Sequence, residues 1–230
     1  MKRKWMLITG LILGFPFLAG SDEQPLPFFT GEKITYAISK LGMKAGEATL
    51  TFSGHENVDN QDTYLIIFRA KAFNFFDEEK IYIDPHSFLP VRVDRDLNIF
   101  GKKEKIVEKY QPQEGKVVVT KTAGDKISEQ VIEKKGKLDN IYSFIYRSRL
   151  KEDFNIGDQF KLYLPTQDVA ISLVEKNTLK AAGKTFDTYF MQSDPKKYRV
   201  WFDTSAKRIP LRIDGAVGFG NTSMILEEYQ

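Results

Sequence analysis

The sequence predicts an all-β protein with one short helix, folded as a strongly curved antiparallel sheet (a half-barrel or a β-roll) built from two related modules. Three observations carry this expectation. Apolar residues alternate at period two through most of the chain, the signature of strands with one buried face. The chain has 18 Phe and 10 Tyr, and aromatic side chains favour pleated, half-buried surfaces. Residues 81–94 are echoed near residues 200–214.

The amino-terminal element is read as an export signal over residues 1–21. Met1-Lys2-Arg3-Lys4 supplies a basic start, Trp5 to Ala19 an apolar run, and Ala19-Gly20-Ser21 a small-residue processing site. The apolar run is shorter than the roughly 20 residues a membrane-spanning helix needs. Cleavage near Ser21 leaves a mature chain of 22–230, with no transmembrane segment expected in it and a soluble, periplasmic or otherwise extracytoplasmic location. Removing Lys2, Arg3 and Lys4 from 34 basic residues leaves 31, equal to the 31 acidic ones. A net charge of zero argues against nucleic acid as a partner. With no cysteine, stability in an oxidising compartment must come from a packed core.

The strands follow in order. Residues 33–38 alternate, 41–46 read as a turn, and 48–52 alternate again. The polar cluster from His55 to Asp62 reads as a loop before Tyr64 to Phe68. IYID (81–84), VRVD (91–94), EKIVEKY (104–110), KVVVTK (116–121) and KISEQVIE (126–133) continue the meander, with QPQEG and TAGD as hairpin turns. Leu138, Ile141, Tyr142, Ile145, Tyr146 and Arg149 then recur at three- and four-residue spacings. They predict a helix over 140–150 with one buried face, capped by Asp139 or Asn140. Strands resume at 160–165.

IYIDPHSFLPVRVD (81–94) and VWFDTSAKRIPLRID (200–214) share an apolar–aromatic–apolar strand ending in Asp, a turn, and a Pro that opens a second strand. Asp84 to Asp203 and Phe100 to Phe219 are both offset by 119; Asp62 to Asp187 and Gly31 to Gly157 are offset by 125 and 126. The expectation is one β domain over 22–230 containing two modules, about 31–111 and 157–230. A hairpin and the 140–150 helix bridge them.

Several of these residues resemble a known family. Gly31-Glu32…Tyr36, Ala45-Gly46-Glu47-Ala48, Asp139…Ser143-Phe144-Ile145-Tyr146…Arg149, Gly157-Asp158, Ala182-Gly183-Lys184-Thr185-Phe186, Trp201-Phe202, Arg208-Ile209-Pro210-Leu211 and Phe219-Gly220 resemble the bacterial domain-of-unknown-function family 3108. The resemblance spans most of the mature chain. It implies exported envelope proteins, mostly β, without an established reaction. Lipidated relatives would carry cysteine where this chain has Ser21.

The residues give little support for catalysis. His55 and His86 lack partners at metal-ligand spacing, no cofactor motif is present, and Ser143 is not in a nucleophile elbow. Candidate ligand-binding residues come from the repeat. Arg92 and Arg212 alternate with apolar neighbours and could act as anion forks in a shared concavity, although turn and strand scaffolding is the simpler reading of the repeated unit. Glu108 with Tyr110, and Glu227 with Tyr229, sit two apart and so share a strand face. Trp201 alternates with Val200 and Phe202. The favoured expectation is a non-catalytic binding or carrier protein for a lipidic or glycan envelope component. Alternatives are an envelope scaffold acting on a protein partner and, last, a glycan hydrolase using Glu108 and Glu227.

Overall fold

The structure, a computed structural model, describes residues 25–217 and 222–230. The leader read at 1–21 and the Phe219-Gly220 match lie outside the described residues. The chain forms β1 (Glu32–Lys40), β2 (Met43–Val58), β3 (Gln61–Ala72), β4 (Phe75–Ile83), β5 (Pro90–Ile99), β6 (Lys102–Gln111), β7 (Lys116–Ala123) and β8 (Lys126–Glu133). Then come α1 (Ile141–Arg149), β9 (Gln159–Leu164), β10 (Gln167–Ala181), β11 (Lys184–Asp194), β12 (Arg199–Asp203), β13 (Pro210–Asp214) and β14 (Thr222–Tyr229).

All strands join one antiparallel sheet in the order β8-β7-β6-β5-β4-β3-β2-β1-β14-β13-β12-β11-β10-β9. Sequential strands pair throughout except β8 and β9, and the seam is the pairing of β1 with β14. The sheet does not close, because β8 and β9 remain as edges. The stretch between β8 and α1 lies along the β9 edge, where the Asp139 N–H donates to the Tyr163 carbonyl at 2.9 Å. Gly136 passes so close there that an added Cβ would sit 2.2 Å from the Tyr163 ring.

Period-two burial explains the sheet. Along β1, Glu32, Ile34, Tyr36 and Ile38 are buried while their neighbours are not, as expected for one core face. Two readings change. The cluster from His55 to Asp62 is not a loop: β2 and β3 continue through it to a two-residue turn at Asp59-Asn60. Its residues are mostly exposed on both faces, so the ladder persists there through backbone pairing, which leaves no apolar periodicity in the sequence.

The helix also differs in burial. Eight of its nine residues are buried, all but Arg147, because the sheet wraps around it. Asn140 caps it, accepting from the Tyr142 N–H at 2.8 Å. Tyr142 stacks on Phe68 of β3 (centroids 4.2 Å), Tyr146 meets Phe28 (4.9 Å), and Phe144 meets Phe160 of β9 (5.6 Å). Ser143 Oγ donates to the Phe88 carbonyl in the β4–β5 turn. Contacts on such distant strands require strong curvature.

The strands on either side of the β7–β8 hairpin and α1 share details. Register shifts occur between Tyr82 and Ile83 opposite Arg92 and Pro90, and between Trp201 and Phe202 opposite Arg212 and Pro210. The Asp84 N–H donates to the Leu89 carbonyl (2.9 Å) and the Asp203 N–H to that of Ile209 (3.0 Å). Phe88 and Arg208 both have positive φ, 53° and 46°.

Candidate functional site

The lumen is filled by α1 and aromatic side chains, and a cleft of about 550 Å³ opens where α1 begins. The cleft is lined by Glu79, Arg95, Glu108 and Tyr110 from β4–β6, Asn140 and Tyr142 from the start of α1, and turns at 164–166, 196–198 and 215–217.

Strand phase puts charge inside it. Ile81 and Ile83 of β4 face the core, so Asp77 and Glu79 face it too, and both are buried. Arg95 stands in phase with Val93 and opposite Glu79. Its guanidinium forks onto Asp77, with Nε–Oδ1 2.7 Å and Nη2–Oδ2 2.5 Å, and lies 3.4 Å from Glu79. Tyr110 donates its hydroxyl to Glu108. Asn140 Nδ2 lies 3.5 Å from Glu79 Oε2.

One guanidinium thus serves two buried carboxyls. Burial pushes the Glu79 carboxyl up to about 7, against the pull of Arg95 and with repulsion from Asp77 and Glu108. Burial likewise raises Glu108, opposed by the Tyr110 hydrogen bond and Arg95. The floor therefore presents a carboxyl poised between donor and acceptor near neutral pH, beside tyrosine rings and hydroxyls. Lys196 and Lys197 stand at the mouth. Such a surface suits a hydroxyl-rich polar ligand better than an acyl chain. Among the described residues no cluster has the composition of a metal site.

The residues singled out from sequence divide. Glu108 and Tyr110 share the cleft. Glu227 lies elsewhere, at 2.5 Å from Lys44, so the two glutamates do not share this cleft. Tyr229 donates its hydroxyl to Glu32 at 2.9 Å. Arg92 and Arg212 lie on the face opposite the buried Val93 and Ile213. Each is bound by the aspartate two residues on, Asp94 and Asp214, at 2.8 Å. Trp201 stacks on Phe190 (4.6 Å) beneath Arg212 (4.7 Å). Sequence reasoning missed Glu79, Arg95, Tyr142 and Tyr198. Running the β4 alternation back from Ile83 would have placed Glu79 inside.

The family described as "Protein of unknown function (DUF3108)" matches residues 11–227. Among curated proteins, none matches the chain. A β-barrel-like protein of domain of unknown function DUF1849 from Brucella abortus is similar in fold, with a TM-score of 0.53 at 12% identity, covering 87% of this chain and 97% of that one. A protein from Parabacteroides distasonis ATCC 8503, proposed to be a lipoprotein, gives a TM-score of 0.31 at 10% identity, covering 89% and 97%. Among the described residues no helix is long and apolar enough to cross a membrane.

Proposed function

This chain belongs to the DUF3108 family, and from that premise we propose that it is an exported, non-catalytic binding protein for a glycan component of the cell envelope. The observation that carries this reading is the half-polar cleft: Glu79, Glu108, Tyr110 and Tyr198 line one opening of a curved, unclosed sheet whose lumen is already occupied by α1. Saccharides are bound through hydroxyl-to-carboxylate hydrogen bonds and aromatic faces, both of which are offered here. A lipid carrier would need an unfilled apolar lumen, and Tyr36, Phe52, Phe68 and Tyr146 fill it. The leader at 1–21, cut near Ser21, would deliver the chain to the periplasm. The matched bulges and turns at Asp84 and Asp203 support a duplicated module as the origin of the fold.

The test is titration with N-acetylglucosamine oligomers and muropeptides, followed by NMR and native mass spectrometry. Binding should perturb Tyr110 and Tyr198 and weaken at least tenfold in Glu108→Gln or Tyr198→Ala. Unchanged affinity in both variants, or co-purification of a phospholipid in the lumen, would overturn the reading. Turnover of the saccharide abolished by Glu79→Gln would instead make the cleft an enzyme's.

A further inference from the structure

We propose that one end of the sheet docks on an anionic lipid bilayer, through a row of apolar side chains at its hairpin tips. In an antiparallel meander alternate turns share one end. The β1–β2, β3–β4, β5–β6 and β7–β8 turns therefore follow one another along the same end of their strands. The bulky apolar side chains that are most exposed among the described residues all sit on those first hairpins: Leu41 90%, Met43 70%, Phe73 87%, Phe100 75% and Ile127 73%. At the opposite end the most exposed is Ile156, at 64%.

The turn chemistry sharpens the contrast. Leu41-Gly42 and Phe100-Gly101 have positive φ at both residues: 52° and 80°, then 50° and 85°. The first of these positions normally takes Asn, Asp or Gly, and bulky side chains are disfavoured there. At the opposite end the corresponding pairs are Asp59-Asn60, at 50° and 63°, and Ala182-Gly183, at 46° and 71°, none of them bulky. Leu41 and Phe100 are thus held in water at backbone positions that suit them poorly, and local stability does not account for either.

Charge identifies the occupant. The four tips (residues 40–44, 71–74, 98–103 and 123–126) contain Lys40, Lys44, Lys71, Lys102, Lys103 and Lys126 and one acid, Asp125, with Lys44 paired to Glu227 of β14. Apolar tips flanked by lysine match a bilayer interface with anionic headgroups. Successive hairpins are two strands apart, roughly 10 Å, so the tips are separate side chains rather than one continuous patch. A fluid interface closes around each tip, whereas a protein partner needs contiguous packing.

The test is co-sedimentation with vesicles of phosphatidylethanolamine and phosphatidylglycerol, and with phosphatidylcholine vesicles for comparison. The protein should bind the anionic vesicles, and high salt should weaken binding. Phe73→Ser and Phe100→Ser should each lower partitioning roughly tenfold or more. Ile156→Ser should leave it unchanged, and circular dichroism should show all three variants folded. Phe73→Trp should shift its emission to the blue on anionic vesicles. Failure of the unaltered protein to bind, or an equal loss in Ile156→Ser, would overturn the proposal. So would tip substitutions that change the oligomeric state rather than partitioning. The inference is independent of the saccharide reading, because Tyr198→Ala should lose the saccharide and keep the vesicles.

Discussion

Arg149 and Glu32 form a two-pronged ion pair at 2.6 and 2.7 Å, with neither side chain reaching solvent. It ties the last helical residue to the first residue of β1. Arg149 also donates through Nε to the Lys207 carbonyl (3.0 Å) and lies over the rings of Phe28 and Tyr146. Removing one partner strands the other charge in the core, a loss of about 3–5 kcal/mol. Glu32→Gln and Arg149→Met should each lower stability by that order in urea unfolding. The double variant Glu32→Leu/Arg149→Met should recover much of it, and a double variant as unstable as the summed singles would exclude the coupling.

The stability should fall as pH rises through the Glu79 range. The folded carboxyl titrates at about 7 against an ordinary 4.5, so between these values the folded state holds more protons than the unfolded one. Stability is then full below the ordinary value and is lost on the way to the folded one, by about 3 kcal/mol at most. Glu79→Gln should flatten the slope of unfolding free energy between these pH values. A slope unchanged by the substitution would place the titration elsewhere.

Gly136→Ala tests the strap along β9. The new methyl would meet the Tyr163 ring, and that approach is tighter than any real contact. Overpacking costs about 1–3 kcal/mol, and the loss should be accompanied by faster amide exchange at Asp139, whose N–H pairs with Tyr163. Tyr163→Leu introduced beside Gly136→Ala should restore part of the loss.

The outer stack of Phe190, Trp201 and Arg212 should respond to shape more than to charge. Arg212→Lys keeps the charge but lacks the planar face that lies 4.7 Å from Trp201. A loss of about 1 kcal/mol in guanidinium unfolding is expected, and Trp201→Ala should cost about 3 kcal/mol. An Arg212→Lys variant as stable as the original would reduce the stack to a simple ion pair with Asp214.

Most of the sheet was legible because apolar alternation runs through it. Ile34, Tyr36 and Ile38 mark the inward phase of β1 unambiguously. The cleft was less legible because its chemistry sits at inward positions written with outward-looking residues. Phe76-Asp77-Glu78-Glu79-Lys80 reads as a solvated run, yet Asp77 and Glu79 are buried and Lys80 is exposed. The partner that makes this tolerable, Arg95, is on another strand. Glu32 with Arg149 is the same case across 117 positions of sequence. Periodicity assigns a face, and only the fold brings the compensating charge to it.

The seam between β1 and β14 has a kinetic consequence. Ile34 pairs with Tyr229 and Ile38 with Met224, so the middle of the sheet is assembled from segments at opposite extremes of the described chain. Until residues 222–229 arrive, β1 has a neighbour on one flank only. A chain emerging amino-terminus first would carry that unsatisfied edge until β14 emerges. Such long-range pairing is slow to form, so β1 keeps an open flank until β14 docks on it.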